Sequence, residues 1–517
     1  MKTVRLFLAL FVTILVFGKT ADAQVLQGDT VAFFSPTYVD WPPLQGTPQD
    51  TIWATCDEVG EHCYIFRQFG LPLFAQTQLD TLVHRFDKHF VPQLTSVYGP
   101  MPDALDGDSH VFIVVYNEPN WCGYWDPAQQ MTDNFVNTTW GSHSSEHEII
   151  YIASDCFYDA PEIAAHEFGH MLHWGQDHSP EPVSNPVTYW EDAWIDEGFS
   201  TFAAIYLTEN IYATGIPDGE AFFYTNPDIP LIYFSNYNQV KLWTLFMFEH
   251  YGGWNYISNL ISNQLNGIAG MDSTLRQLNA PVNFNQAFVH FSIANYLDNS
   301  TYEGGKYGYS HYTFNQCDTT NHISYPTGII NATINPYGTD YICFSSSTAN
   351  PTQITFLGDS TSKFSLAAIK MSTPSNNISG IEYIQPDANS HAVINADSLG
   401  ILYNKLILVV CNIDSALHEG ETAPYKYFTT SVTGIDENNS GSEISIFPNP
   451  VKESLTLSFN FSEKCLVEIF DMQGKVVYKA SVSKNLSTID VSNLPKGVYT
   501  MKVSTNKGNF NKKFTKE

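Results

Sequence analysis

Two histidines four residues apart, with a glutamate beside the first, stand out in the segment His166-Glu167-Phe168-Gly169-His170. On an α-helix these histidines lie one turn apart, about 40° around the axis, so both imidazoles can reach one tetrahedral ion. The carboxylate between them is offset and addresses a water on that ion instead of the ion itself. The flanking residues favour a helix here. Asp159 can cap its start, Pro161 is tolerated in its first turn, and Gly175 can end it. His166 and His170 also have a plain reading as satisfied surface histidines. His173, on the same helical face as His166, is read as a packing residue or a support for the ligands. As a fourth ligand it would close the open position that catalysis needs.

A third ligand separates a real site from a coincidence. The metzincin pattern requires Gly at 173 and His at 176, and the chain has His173 and Gln176. Further on, Trp190-Glu-Asp-Ala-Trp194-Ile-Asp196-Glu197-Gly198-Phe199-Ser200 opens a second helical stretch. Here the sequence resembles the gluzincins, zinc metallopeptidases in which a Glu from a second helix completes the metal shell. The likeness is to their hyicolysin-like secreted bacterial branch. It extends to Gly123-Tyr124-Trp125-Asp126, to Glu148–Ile152 and to Tyr237–Gly253, covering roughly residues 95 to 300. It implies one catalytic Zn2+ held by His166, His170 and Glu197. Gln176 to Thr188, polar and proline-containing, would form a loop beside the cleft.

The resemblance also implies a mechanism. Zinc would lower the pKa of a water to roughly 7 and polarise the scissile carbonyl. Glu167 would act as general base and then deliver the proton to the leaving amine. Some gluzincins supply an oxyanion donor from a later helix, which by analogy points to Tyr237, with Tyr233 close by and a structural role open for either. Glu191, Asp192 and Asp196 could orient a ligand imidazole. The stronger reading makes them helix-start carboxylates favoured by the dipole.

The elements that must position these residues follow from periodicity. Apolar spacing predicts helices over 78–94, 161–174, 191–208, 239–251, 254–265 and 284–297, and buried strands over 110–116 and 148–153. Alternation takes over from about Ile329 to Val432, the pattern of a β-sandwich. Asp103, Asp106 and Asp108 could hold Ca2+, but no ligand series of EF-hand length follows, which favours a solvated turn and leaves calcium unsupported.

Basic Lys2 and Arg5, the apolar run Leu6–Phe17 and the Ala21-Asp22-Ala23 cleavage site form a signal peptide over 1–23. Gln24 at the cut speaks against a lipoprotein, and no transmembrane segment is expected. Residues 24–444 carry 10 Lys/Arg against 46 Asp/Glu, which disfavours nucleic acid and anionic membranes as partners. Eight cysteines in an exported chain suggest disulfides. Cys56 and Cys63 are close enough to close a small loop, and Cys122 with Cys156 could brace the approach to the 161–174 helix.

Residues 445–517 reverse the charge balance, with 11 Lys/Arg against 6 Asp/Glu, and mark a separate module. Its segments Phe447-Pro-Asn-Pro450, Asp471-Met-Gln-Gly474-Lys475 and Leu494-Pro-Lys-Gly497-Val-Tyr499 resemble the C-terminal sorting domain of type IX secretion. That resemblance implies the secretion machinery as a partner and an extracellular or cell-surface location. An adhesive or carbohydrate-binding module is the other reading.

The sequence thus predicts an α+β, multi-domain chain. A signal peptide (1–23) precedes a zincin-like metallopeptidase domain (24–328), a β-sandwich (329–433), a linker (434–443) and a small β-sandwich sorting domain (444–517). The expected function is a secreted zinc endopeptidase acting on proteins or peptides. The alternative is a surface binding protein that keeps the fold without turnover. The middle sandwich could bind glycan or matrix, or serve structure alone.

Overall fold

The computed structural model describes residues 24–36, 49–102, 105–177, 191–208, 224–234, 236–310, 317–348, 350–372, 377–430, 444–459, 465–482, 486–505 and 508–517. The expected signal peptide, residues 178–188 of the expected cleft loop, Trp190, Asp103 and the expected linker 434–443 lie outside the described residues.

The first layer is a six-stranded sheet of β1 (Thr30–Phe34), β2 (Thr51–Val59), β3 (Cys63–Gln68), β4 (Val111–Tyr116), β5 (Gly123–Trp125) and β6 (Ile149–Ala153). Its order is β1-β2-β3-β4-β6-β5. The strands β3, β4 and β6 run parallel, and β5 closes the edge antiparallel to β6. Strand β4 reads Val-Phe-Ile-Val-Val-Tyr without alternation because both of its faces are covered. Val111, Ile113 and Val115 enter the core shared with the helices, while Phe112, Val114 and Tyr116 enter an aromatic layer on the other face.

Against the first face pack α1 (Gln76–Arg85), α2 (Val91–Tyr98), α4 (Ala160–Asp177) and α5 (Ala193–Thr208), with α3 (Asp133–Trp140) between β5 and β6 in the chain. The helix expected over 78–94 is α1 and α2 joined through a π turn at Phe86–Phe90, just ahead of Pro92. Then come α6 (Tyr237–Tyr251), α7 (Trp254–Ile261), α8 (Gly267–Gln277) and α9 (Phe284–Leu297).

Cys122 and Cys156 form a disulfide that ties the start of β5 to the turn leading into α4. The suggested Cys56–Cys63 pair does not form; both thiols are free and buried. The β2–β3 register shifts between Cys56 and Glu58, so an extra residue, Asp57, bulges from the ladder. The bulge turns Cys56 into the aromatic layer while Cys63 faces the helical core, so the two thiols lie on opposite sides of the sheet.

The sandwich stacks a sheet ordered β13-β10-β15-β8 on one ordered β12-β11-β14-β9-β7. The first contains β8 (Ile330–Ile334), β10 (Gln353–Gly358), β13 (His391–Asn395) and β15 (Ala423–Thr430). The second contains β7 (Thr320–His322), β9 (Thr339–Ser345), β11 (Phe364–Ser372), β12 (Asn377–Ile384) and β14 (Lys405–Asn412). Leu366, Ala368, Leu406, Leu408 and Val410 fill the space between the sheets. The alternate residues Ala367, Ile369, Ile407, Val409 and Cys411 belong to the same core as α9. The boundary drawn at 328/329 therefore divides chain segments, whereas packing joins everything up to Thr430 into one compact unit.

The second unit spans 431–517. One sheet has the order β16-β17-β20 and the other β19-β18-β21-β22, around a core that includes Leu457, Val467, Ile469 and Met501. The strands are β16 (Ile444–Phe447), β17 (Ser454–Phe459), β18 (Cys465–Phe470), β19 (Val476–Val482), β20 (Leu486–Asp490), β21 (Gly497–Thr505) and β22 (Gly508–Lys516). Cys465 is buried and unpaired. No helix among the described residues is long and apolar enough to cross a membrane.

The shared core makes a truncation test direct. A chain ending after Thr430 should unfold in one cooperative thermal transition. A chain ending after Gly328 exposes the α9 face and should lose that transition, and Ile369→Ala in the full chain should cost about 2–5 kcal/mol in denaturant unfolding.

Candidate metal centre

The helix α4 carries His166, Glu167 and His170, and α5 carries Asp196 and Glu197 near its start. The two helices cross closely at Gly169, where a Cβ would sit 3.1 Å from the Ser200 Cα. That approach brings the second helix's carboxylates up to the imidazoles. Across the same crossing, the Tyr98 hydroxyl from α2 donates to the Phe199 carbonyl at 2.9 Å.

Three donor atoms converge there. His166 Nε2 lies 3.0 Å from His170 Nε2, and Glu197 Oε2 lies 3.3 Å from the first and 3.6 Å from the second. Donors at about 2.0–2.1 Å from a tetrahedral zinc stand roughly 3.3–3.4 Å apart, so this triangle has the dimensions of three corners of such a site. The Glu197 oxygen is buried beside the imidazoles but has no donor aligned with it, which is the condition of a carboxylate shaped for a cation. Among the described residues, His166, His170 and Glu197 are the group of three that could hold a metal ion.

The ligand orientation comes from Asp196. Its Oδ2 accepts from His170 Nδ1 at 2.7 Å, which leaves the Nε2 lone pair of that imidazole for a metal. Its Oδ1 accepts from His173 Nδ1 at 2.8 Å, so one buried carboxylate fixes two rings of α4. Asp196 is therefore a positioning residue, against its reading as a helix-start carboxylate. Its neighbours have other partners. Glu191 accepts from the backbone N–H groups of Asp192 and Gly267, each at 2.7 Å, and Asp192 accepts from Trp194 Nε1 at 3.3 Å.

Burial resists ionisation of Glu197, but His170 and His166 outweigh it and hold the carboxyl down at about 2. Burial also opposes the charged form of His170, yet Asp196 and Glu197 raise its pKa well above the usual range. The same negative field would hold a dication.

Burial pushes the Glu167 carboxyl up, with partial relief from the two ligand imidazoles. Its side chain passes close to the edge strand, where a Cβ at Gly123 would fall 2.6 Å from Glu167 Oε1 and 2.3 Å from Ile163 Cγ2. Only glycine leaves that space open. This steric role of Gly123 depends on the contact of two elements and leaves no mark in the residue order.

Tyr237 begins α6 with its ring 6.2 Å from the His166 ring, edge to face. The residue is half exposed, while burial of its hydroxyl end and the charges of Glu197 and Glu167 raise its pKa. Tyr233 is committed elsewhere, its hydroxyl donating to the Leu417 carbonyl at 2.6 Å. Of the aspartates considered for calcium, Asp106 bonds His147, and Asp108 bonds His110 and accepts from the Tyr64 hydroxyl at 2.9 Å. Asp106 Oδ1 also accepts from the Asp108 N–H at 2.8 Å and Asp108 Oδ1 from the His110 N–H at 3.1 Å, so the two carboxylates close the expected turn and partner nearby rings as well.

Residues 445–517 match the secretion system C-terminal sorting domain. That module marks the chain for type IX export to the cell surface or extracellular space. No curated protein matches the chain. An immunoglobulin-like β-sandwich protein from Bacteroides vulgatus is 26% identical over 14% of this chain and 85% of its own, with a TM-score of 0.14. PorZ, a surface component of the type IX secretion system of Porphyromonas gingivalis, is 17% identical over 18% of this chain and 14% of its own, with a TM-score of 0.13.

If Asp196 orients the ligands, Asp196→Ala should weaken zinc binding by about 10–100-fold in competition with a chromophoric chelator. His173→Ala leaves the bond to His170 intact and should change zinc affinity far less; equal losses in the two variants would contradict the assignment.

Proposed function

We propose that the protein is a zinc-dependent metallopeptidase of gluzincin type, acting as an endopeptidase outside the cell. The observation that carries this reading is the convergence of His166, His170 and Glu197 within a tetrahedral set of spacings, with Glu167 beside them and outside the ligand set.

Zinc bound there supplies a Lewis acid and an acidified water. The chain's own residues supply the proton handling. Glu167 is buried and its proton affinity is raised, which suits a base that takes a proton from the attacking water and returns it to the leaving amine. Tyr237, beside His166, is the donor for the oxygen that gains charge as the carbonyl is attacked. It donates through a hydroxyl kept protonated by burial and by two nearby carboxylates. The edge strand β5 supports an extended substrate, since it pairs on one side with β6 and begins next to Glu167.

The test is mature protein on an unlabelled peptide mixture, with and without chelator, with the cuts mapped by mass spectrometry. Glu167→Gln should retain zinc and lose about 10²–10⁴-fold in turnover. Activity that survives both chelation and this substitution would sink the mechanism. A zinc-loaded wild type that cleaves nothing would favour a surface binding protein.

Tyr237→Phe separates the oxyanion role from packing. The loss should be about 10²–10³-fold and fall on kcat with KM nearly unchanged; an unchanged kcat would remove Tyr237 from the chemistry.

A further inference from the structure

A cavity of about 980 Å³ opens where the helices meet the sandwich, well away from the metal centre. Helix α6 measures the distance: Tyr237 at its start touches the metal site, and Tyr251 at its end lines the cavity, about 21 Å along the axis. The first turns of α9, the segment 303–306 and strands β11 and β12 form the other walls. The volume is within the range of small-ligand sites.

Its floor is an immobilised aromatic plate. Tyr383, on edge strand β12, is 47% exposed, yet its hydroxyl is held by the Tyr307 hydroxyl at 2.6 Å. The His290 ring stands 5.7 Å away, and Lys306 Nζ lies 5.5 Å from the Tyr383 ring centre and 4.9 Å from that of Tyr307. An exposed ring with little freedom left to lose is suited to stacking against an apolar ligand face.

Around the plate stand neutral donors. Asn285 Oδ1 accepts from the Tyr337 hydroxyl at 2.7 Å, and Gln286 Oε1 accepts from the Asn283 N–H at 2.9 Å. Both residues line the cavity, and an amide that accepts through its oxygen still has two N–H groups to donate. Gln385 adds an exposed amide. His290 Nδ1 pairs with the Tyr251 hydroxyl at 2.9 Å, and burial, Lys306 and His250 keep the imidazole uncharged.

The charge balance narrows the ligand class. The body carries 46 acidic residues, whereas the cavity sets one carboxylate, Glu303, against one ammonium, Lys306, which lies over two aromatic rings. Phosphate or a strongly charged peptide would meet no matching field. A ligand with an apolar ring face and an equator of hydroxyls would match both the plate and the amides. We propose that this cavity binds a neutral saccharide, with Tyr383 as the stacking platform and Asn285, Gln286 and Gln385 as hydroxyl partners. The proposal stands on its own geometry and is independent of peptidase activity.

The probe is an array of neutral hexose and N-acetylhexosamine oligomers presented to the full mature chain, followed by calorimetric titration of the best-bound oligomer. Gln385→Ala, at an exposed position, should keep the wild-type melting temperature, whereas Tyr383→Ala takes the partner from the Tyr307 hydroxyl and should lower it while the cooperative transition remains; each should weaken binding, Tyr383→Ala by about tenfold or more. Glu167→Gln should leave the affinity unchanged. An array without binding, an affinity indifferent to Tyr383→Ala and Gln385→Ala, or a loss with Glu167→Gln would overturn the proposal. So would binding confined to sulfated or carboxylated glycans added to the same array and abolished by Lys306→Gln.

Discussion

The geometry of the candidate metal centre depends on one buried carboxylate shared by two imidazoles. Asp196 holds His170 and His173 from a neighbouring helix, and its charge is compensated only because both rings donate to it. Such a contact demands a fixed rotation and a fixed spacing of α4 against α5. Gly169 permits the spacing, and the long apolar stretch of α5, with Phe199, Phe202 and Ala203 buried, secures the rotation. Once these are set, Glu197 follows from being the next residue. The ligand pair and its support therefore come from a single crossing, and a shift of a few tenths of an ångström there would be felt by every donor in the cluster.

The sheet sets the other boundary of the site. Strands β4 and β6 are buried on both faces, so their position is fixed by packing above and below, and β5 inherits that position through its pairing with β6 and the Cys122–Cys156 bond. The edge strand thus meets the helix bearing Glu167 along a line that two independent constraints define.

Much of this could be read from residue order. The i, i+4 histidines, the uninterrupted apolar run of β4 and the alternation of the sandwich strands each report their own local environment, and local environment is what periodicity records. What could not be read required knowledge of two elements at once. Glu191, Asp192 and Asp196 look alike at a helix start; only the crossing of α4 and α5 singles out Asp196. Cys56 and Cys63 look like a loop closure until a one-residue bulge at Asp57 changes the parity of the strand. Helices α3 and α8 escaped notice because Asn and Thr in one and two glycines in the other are weak helix formers, stabilised here by tertiary contacts. The join between helices and sandwich was also invisible, since the inner strands β9, β11 and β14 show only that both their faces are apolar, not what lies against them.

That join has a consequence for the order in which the molecule can be built. Strand β15 lies inside its sheet, between β10 and β8, and it is the last element of the first unit. Until residues 423–430 have arrived, that sheet lacks an interior strand, and the layer backing α9 has no finished partner on its far side. The helices that bring His166, His170 and Glu197 together thus reach their full packing only after more than four hundred residues have been assembled. Completion of the centre is tied to the far end of the unit instead of the stretch of chain that carries its ligands.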